Sequence, residues 1–302
     1  MTSKAGRRLV GALTLLLAMT SLVRANLCAP LERVTLPIMA LPGELISVPA
    51  TVNGHTMTMV VDTGASIGLL SDAKAKEMSL DSEWRRRPFA WMYGGKPVQN
   101  MARNTTVRFG AMPGLSSEFG VVPRSFLPAS SADGVVGANV LSAYDVLIDF
   151  EQHSLTLSVT NRCGAAPTIY QKLRMLDANG HHVLIPVELD GEKLEAVIDT
   201  GAERSLISLR AACILIADRC RKHDLQSDGA YTINGSSIGT IYGYSFHMLR
   251  MADVKIPNPE IQVIEESEQA HIPDLILGMN ILSRFRLDFD YKARTLFLAP
   301  IQ

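Results

Sequence analysis

The sequence predicts an all-β protein with minor helices, built as two homologous lobes that face each other across a cleft. Three observations support this prediction. The chain repeats itself at a nearly constant spacing, its clearest local signals are β-hairpins, and one apolar block recurs near the end of each half. Because the repeated polar loops follow apolar strands in both halves, we expect the active site in the cleft between the lobes.

The composition is that of an ordinary globular protein. The chain has 302 residues, of which 47% are hydrophobic and 20% charged, with a formal net charge of -1. A net charge so close to zero provides no field that would attract nucleic acid, so we expect no DNA or RNA partner. The histidines and cysteines lack the spacing of a metal site. We therefore expect no metal and no cofactor.

The N-terminus predicts an export signal over residues 1–25. Three basic side chains in 4–8 precede an apolar stretch over 9–23, and the residues before Asn26 fit signal-peptidase cleavage. The stretch is short for a membrane span, which needs about 20 apolar residues. The expected location is outside the cytoplasm, in a bacterial periplasm. Secretion, or membrane anchoring by an uncleaved signal, are the alternatives.

Four cysteines permit two disulfides with three possible connectivities in an exported chain: Cys28, Cys163, Cys213 and Cys220. On one continuous helix Cys213 and Cys220 would lie about 10 Å apart, beyond disulfide reach. That pair can close only if the helix stops near Ala217. The segment 26–41 is predicted to add an N-terminal strand, tied by a bond from Cys28 to Cys163. A removable inhibitory segment is the alternative.

The chain is an internal duplication. The pattern over 46–65 recurs over 183–202 with a constant offset of 137 residues, and it ends in Asp-Thr-Gly-Ala both times. A second block, Asp133 to Ser142, recurs from Asp274 to Ser283 with an offset of 141. We therefore divide the chain into the signal (1–25), an N-terminal lobe (26–162), a linker (163–169) and a C-terminal lobe (170–302).

The local signals within each lobe are mainly β. Asn53-Gly54 and Asp190-Gly191 are typical of two-residue hairpin turns. Each turn joins a partly alternating run to an apolar strand that ends at Asp62 or Asp199. Closing strands are predicted to run to Leu157 and Leu298. Short helices are predicted over four segments: Ser71 to Met78, Ala138 to Tyr144, Ser208 to Ala217 and Met279 to Phe285.

The duplicated Asp-Thr-Gly loops are the candidate site. A single copy is weak evidence, since Asp and Gly are favoured at ordinary turns. Two copies at equivalent places are stronger evidence for a functional site. Each copy follows an apolar strand and precedes the second repeated block, and an ordinary turn requires neither. We therefore predict that Asp62 and Asp199 are the catalytic residues.

The two loops resemble those of the pepsin and retropepsin aspartic proteases. The resemblance covers nearly all of the chain after the signal. The single chain with two lobes is similar to pepsins, whereas the alanines that end the loops, Ala65 and Ala202, resemble retropepsins. The resemblance implies that six residues support the catalytic pair: Thr63, Gly64, Ala65, Thr200, Gly201 and Ala202.

The resemblance also implies the chemistry and the substrate. Two carboxylates about 3 Å apart share one proton and so supply both an acid and a base, and the aspartic-protease dyad is itself the standard example. The predicted activity is therefore an endopeptidase that hydrolyses peptide bonds through activated water. The predicted partner is a polypeptide in extended conformation, bound by a monomer. A silent lobe pair that binds peptides or assembles an envelope complex is the alternative.

By the same resemblance, five residues are substrate-binding candidates: Ser66, Glu203, Tyr93, Gly94 and Gly95. The first two follow the catalytic loops, and the other three would form the tip of a mobile flap. Thr232 to Gly235 is the second-lobe counterpart of that tip. We expect Trp84 and Trp91 to be buried, and His181-His182 to lie in an exposed turn.

Overall fold

The computed structural model describes residues 32–92, 96–159, 170–176, 182–216, 225–233, 236–266 and 273–301. The described residues form a mainly β protein with short helices, so the predicted fold class is confirmed. The predicted signal (1–25), the linker (163–169) and three cysteines, Cys28, Cys163 and Cys220, lie outside these ranges. The disulfides therefore stay predictions. Within the described ranges, no helix has the length and apolar character needed to span a membrane.

The strands of the first lobe are β1 (Glu32–Pro37), β2 (Met39–Ala40), β3 (Ile46–Val52), β4 (His55–Val61), β5 (Gly68–Ser71), β6 (Ser82–Trp84), β7 (Ala90–Met92), β8 (Lys96–Val98), β9 (Asn100–Arg108), β10 (Leu115–Val122), β11 (Gly134–Val136), β12 (Asp145–Asp149) and β13 (Ser154–Val159).

The strands of the second lobe are β14 (Gln171–Arg174), β15 (Leu184–Leu189), β16 (Glu192–Ile198), β17 (Ser205–Ser208), β18 (Gln226–Ile233), β19 (Ser236–Gly243), β20 (Met248–Met251), β21 (Val254–Pro257), β22 (Ile261–Glu266), β23 (Leu275–Leu277), β24 (Phe285–Asp290) and β25 (Thr295–Pro300). The α-helices are α1 (Asp72–Glu77), α2 (Ala138–Leu141), α3 (Leu209–Ile216) and α4 (Met279–Leu282).

Each lobe has its own sheet, and the four central strands are arranged in the same order in both sheets. The order β4-β11-β5-β10 in the first lobe corresponds to β16-β23-β17-β22 in the second. The predicted hairpin turns are confirmed. Asn53 and Gly54 have φ of 48° and 86°, and Asp190 and Gly191 have 50° and 93°. Positive φ at both central residues matches the right-handed twist of the flanking strands.

A third sheet joins the lobes, with strand order β1-β13-β12-β24-β25-β14. Its centre is the antiparallel pair of β12 and β24, one strand from each lobe. The predicted N-terminal strand is present as β1, which pairs along its whole length with β13. One apolar core runs continuously through both lobes and this sheet, from Leu36 to Leu298. The lobes are therefore packed together rather than loosely tethered.

Two of the predicted helices are shorter than expected. α2 and α4 end at Leu141 and Leu282, about a turn before the predicted ends at Tyr144 and Phe285. The residues that follow form β12 and β24, which the sequence analysis did not predict. Both strands bury alternate residues within the joining sheet, and this burial outweighs any helical tendency. The helices predicted after Ser71 and Ser208 are confirmed, and each serine hydroxyl accepts a hydrogen bond from a first-turn amide.

The two tryptophans were predicted wrongly. Trp84 is 61% exposed and Trp91 65% exposed, whereas burial was expected. Trp84 lies on β6 at the edge of the first-lobe sheet, and Trp91 lies on the two-stranded hairpin of β7 and β8. A strand at the edge of a sheet has a neighbouring strand on one side only, so a large apolar side chain there can stay exposed.

Candidate active site

The two aspartate loops begin where the central strands of each lobe end. β4 pairs with β11 in parallel, and β16 pairs with β23 in the same way. The amide of Asp62 donates to the carbonyl of Val136 at 3.1 Å, and the amide of Asp199 donates to the carbonyl of Leu277 at 3.0 Å. The hydrogen bonds of each parallel strand pair therefore continue as far as the aspartate and fix its backbone.

The two predicted catalytic carboxyls meet at the lobe interface. The side chains of Asp62 and Asp199 hydrogen-bond to each other. The glycines of the loops lie against the opposite aspartates. A Cβ at Gly64 would lie 2.3 Å from Cγ of Asp199, and a Cβ at Gly201 would lie 2.3 Å from Cγ of Asp62. Any larger residue at either glycine would push the carboxyls apart.

The threonines of the loops brace each other across the interface. The hydroxyl of Thr63 donates to the carbonyl of Ile198 at 2.6 Å and accepts from the amide of Thr200 at 3.1 Å. The hydroxyl of Thr200 donates to the carbonyl of Val61 at 2.7 Å and accepts from the amide of Thr63 at 3.1 Å. Both threonines are fully buried. This reciprocal set of bonds fixes the spacing of the two loops.

Backbone amides of each loop also orient the carboxyl of the aspartate in the same loop. Oδ1 of Asp62 accepts from Gly64 at 2.9 Å and from Ala65 at 2.8 Å. Oδ1 of Asp199 accepts from Gly201 at 2.8 Å, while the amide of Ala202 contacts the backbone carbonyl of Asp199 at 3.3 Å. Asp199 is 2% exposed, whereas Asp62 is only partly buried. The pair is thus not fully symmetric.

Two glycines form a supporting layer beneath the loops. A Cβ at Gly137 would lie 2.7 Å from the backbone of Ile67, and a Cβ at Gly278 would lie 2.6 Å from that of Arg204. No role was predicted for the asparagines that follow, Asn139 and Asn280.

These asparagines tie each catalytic loop to the neighbouring strand. Oδ1 of Asn139 accepts from the amide of Gly68, and its Nδ2 donates to the carbonyl of Glu118 at 2.9 Å. Asn280 makes the equivalent bonds to Ser205 and Glu260. Their recurrence at the 141-residue offset was the signal that would have found them.

Burial and mutual repulsion favour a shared proton on the pair. Burial raises the pKa of Asp62 above its ordinary value. Burial raises the pKa of Asp199 well above the same value, and the negative charge of Asp62 raises it further. The pair therefore retains a proton at a pH where isolated aspartates would be ionised, as acid and base catalysis by one site requires.

This pKa shift predicts how stability depends on pH. A carboxyl whose pKa is raised on folding contributes stability that is present below its unfolded pKa of about 4 and lost as pH rises through the folded pKa. Asp199→Asn removes the ionisable group. The unfolding free energy of this variant relative to the unmodified protein should therefore increase as pH rises. Denaturant titrations between about pH 4 and pH 8 measure it, and a difference that does not change with pH would contradict the shift.

The hydroxyl of Tyr291 was not predicted to be influenced by the pair. Burial raises the pKa of this hydroxyl, and the negative charge of Asp62 raises it further. The prediction of an exposed turn is wrong for His182. Its side chain is partly buried, with Nδ1 shielded from solvent. His181 lies outside the described residues.

The substrate-binding candidates divide into two groups. Ser66 and Glu203 each line a cavity beside the loops. The predicted flap tip, Tyr93 to Gly95, lies outside the described residues, but β7 and β8 on either side pair as a hairpin. Similarly, β18 and β19 form a long hairpin around the second-lobe counterpart of the tip. No cluster suited to a metal ion is present in the part of the chain that the structure describes.

Comparison with protein-family models places both lobes in one group. A model described as "Aspartyl protease" matches residues 48–140, and a model described as "gag-polyprotein putative aspartyl protease" matches residues 185–284. Both lobes belong to the retropepsin-like aspartic protease family. No curated protein matches it significantly. In this retropepsin-like protease each half of the duplication corresponds to one aspartyl protease domain, so both loops are provided by a single polypeptide.

Proposed function

We propose that this retropepsin-like protease is an endopeptidase that cleaves polypeptides by attack of water, without a covalent intermediate. The observation that carries the proposal is the close pairing of the carboxyls of Asp62 and Asp199, each of which lies against the glycine of the opposite loop. An amide is hydrolysed in one site when a base takes a proton from water and an acid protonates the carbonyl oxygen. A carboxyl pair with one shared proton supplies both groups.

The carboxyl pair holds the same number of protons before and after this reaction. The ionised carboxyl removes a proton from water as the water oxygen bonds to the carbonyl carbon, and the protonated carboxyl gives its proton to the carbonyl oxygen. When the C–N bond breaks, the protonated carboxyl gives its proton to the leaving nitrogen, while the ionised carboxyl takes one from a hydroxyl of the tetrahedral intermediate as that hydroxyl becomes part of the new carboxyl group. The pair again holds a single proton at the end, and its two macroscopic pKa values belong to the pair rather than to either residue.

The substrate proposed for this site is an extended segment lying between the lobes. The β7–β8 and β18–β19 hairpins belong to different lobes, and their tips are the candidate covers over a bound peptide. Backbone hydrogen bonds to an extended peptide would give affinity in the manner of an added strand. We further propose a monomer, because the duplication provides both loops, and export across a membrane, because residues 1–25 read as a signal.

The proposal is tested with a peptide library of unbiased sequence. The purified protein and its Asp62→Asn variant are incubated with the library over a range of pH, and new peptide termini are identified by mass spectrometry. Cleavage by the unmodified protein alone supports the proposal. Peptide binding without cleavage at any pH would instead indicate a silent binding protein, and equal cleavage by both proteins would exclude the carboxyl pair as the catalytic centre.

A further inference from the structure

Two cavities flank the catalytic loops at positions related by the duplication. The first-lobe cavity has a volume of about 730 Å³ and the second-lobe cavity about 480 Å³. Equivalent residues line them, namely Ser66, Glu118 and Asn139 in the first lobe and Glu203, Glu260 and Asn280 in the second. Ser66 and Glu203 directly follow the two aspartate loops in the chain, so each cavity adjoins its own loop.

The two cavities differ in charge. Arg103 and Glu118 are the charged residues of the first-lobe cavity, and they lie 3.8 Å apart, so their charges offset each other. The second-lobe cavity is lined by three glutamates, Glu44, Glu203 and Glu260, against one arginine, Arg204. The second cavity therefore carries an excess of two negative charges.

Glu203 holds a defined place in the second cavity because of a contact between the lobes. A Cβ at Gly43 would lie 1.9 Å from Cδ of Glu203, so the carboxyl packs directly on the Gly43 backbone. Gly43 has φ of 75°, a conformation that glycine adopts readily. The backbone carbonyl of Glu203 also accepts from the amide of Asn280 at 3.2 Å. The first lobe thus closes one side of the cavity and holds this carboxyl beside the aspartate loop.

The three glutamates are exposed residues at the cavity. No group of acidic, histidine or cysteine side chains in the described ranges is arranged to hold a metal ion. The lining also includes Tyr244, whose ring packs edge-on against Phe246 at 4.8 Å, and the apolar Ile261. A lining that combines apolar surface with carboxylates suits a long aliphatic stem that ends in a cationic group.

The wall also contains an unused acceptor. Oε1 of Gln262 is buried and accepts no hydrogen bond from the described part of the chain. A buried acceptor without a donor is unfavourable. Guanidinium and ammonium groups carry only donors, so either one would satisfy this oxygen once the Gln262 amide turns towards the cavity.

We propose that the second-lobe cavity binds a lysine or arginine side chain of the peptide substrate, with Glu203 and Glu260 as its charge partners. The proposal rests on the endopeptidase function proposed above and names the side chain that the site selects. The first-lobe cavity, whose charges are balanced, provides no such preference. The cleft of this retropepsin-like protease is then asymmetric in its specificity, although its catalytic loops are nearly symmetric.

The test varies one substrate side chain at a time. In a peptide that the protein cleaves, each position near the cleavage site is occupied in turn by lysine, norleucine or glutamate, and kcat/KM is measured. At one position we expect lysine to exceed norleucine by about tenfold, the scale of a few partly exposed ion pairs. Glu203→Gln and Glu260→Gln should each reduce that ratio about threefold. Glu118→Gln, which removes one negative charge at the equivalent position of the first lobe, should leave the ratio intact.

The binding proposal can fail independently of the catalytic one. The same peptides are titrated onto the Asp199→Asn variant by fluorescence anisotropy, where tighter binding of the lysine peptide than of the norleucine peptide supports the cavity even without any cleavage. Cleavage that shows no lysine preference at any position would overturn the cavity proposal and leave the endopeptidase function intact. A preference that survives both glutamate substitutions would overturn it equally.

Discussion

Replacing Asp199 with asparagine is expected to lower kcat/KM for peptide cleavage by about a thousandfold or more. The amide cannot hold or release the proton that passes between water and substrate, and general acid–base catalysis by a positioned group contributes about 10²–10⁴-fold. Asp62→Asn should produce a loss of similar size, because the two carboxyls act as one unit whose contributions are not additive. Steady-state kinetics on a cleaved peptide measure both.

The same substitution should leave the fold intact. Asparagine is close to aspartate in shape, and it can still accept the amide hydrogen bond from Gly201 that now reaches Oδ1. It also removes a buried group whose ionisation is unfavourable. An inactive variant with a native near-UV circular dichroism spectrum and a cooperative melt is therefore the expected result. Retained cleavage in either asparagine variant would exclude the carboxyl pair as the catalytic centre.

Replacing Thr63 with valine is expected to destabilise the protein by about 2–4 kcal/mol and to reduce kcat about a hundredfold. Valine has nearly the same shape but removes both hydrogen bonds of the hydroxyl. The amide of Thr200 and the carbonyl of Ile198 then lose a buried partner, at about 1–3 kcal/mol for each unsatisfied group. The activity loss follows because a displacement of about 1 Å in catalytic geometry can cost that much.

Thr63 and Thr200 make equivalent hydrogen bonds across the lobe interface, so matched substitutions are available as controls. Thr200→Val removes the equivalent pair of bonds and should cause an equal loss of stability, whereas Thr63→Ser keeps the hydroxyl and should lose about 1 kcal/mol. Thr156→Val removes one hydroxyl bond in the joining sheet, away from the carboxyls, and should leave kcat unchanged. Denaturant titrations and steady-state kinetics test these variants together. A valine variant at Thr63 that is as stable and active as the serine variant would show that the brace has no such role.

Much of the fold could be predicted because the signals were local and occurred twice. The hairpin turn at Asn53-Gly54 depends on two residues that tolerate positive φ, and the strand that follows it ends in the apolar run Met59-Val60-Val61. The pairing of β12 with β24 could not be predicted in this way. Each of these strands lies directly after a helical turn, and its partner is more than a hundred residues away in the sequence. A register between such distant segments is set by which faces become buried together.

The sequence by itself determined the duplication, the two Asp-Thr-Gly-Ala loops and the fold class. These features are fixed by residue types within short segments, and the repeat made each of them visible a second time. Only the tertiary structure decided which side chains surround the carboxyl pair. Thr63 and Thr200 bond to each other across the lobe interface, and Gly43 of one lobe packs on Glu203 of the other. The difference in charge between the two cavities has the same origin, because the residues that line each cavity come from segments far apart in the chain and are brought together only when the strands pack.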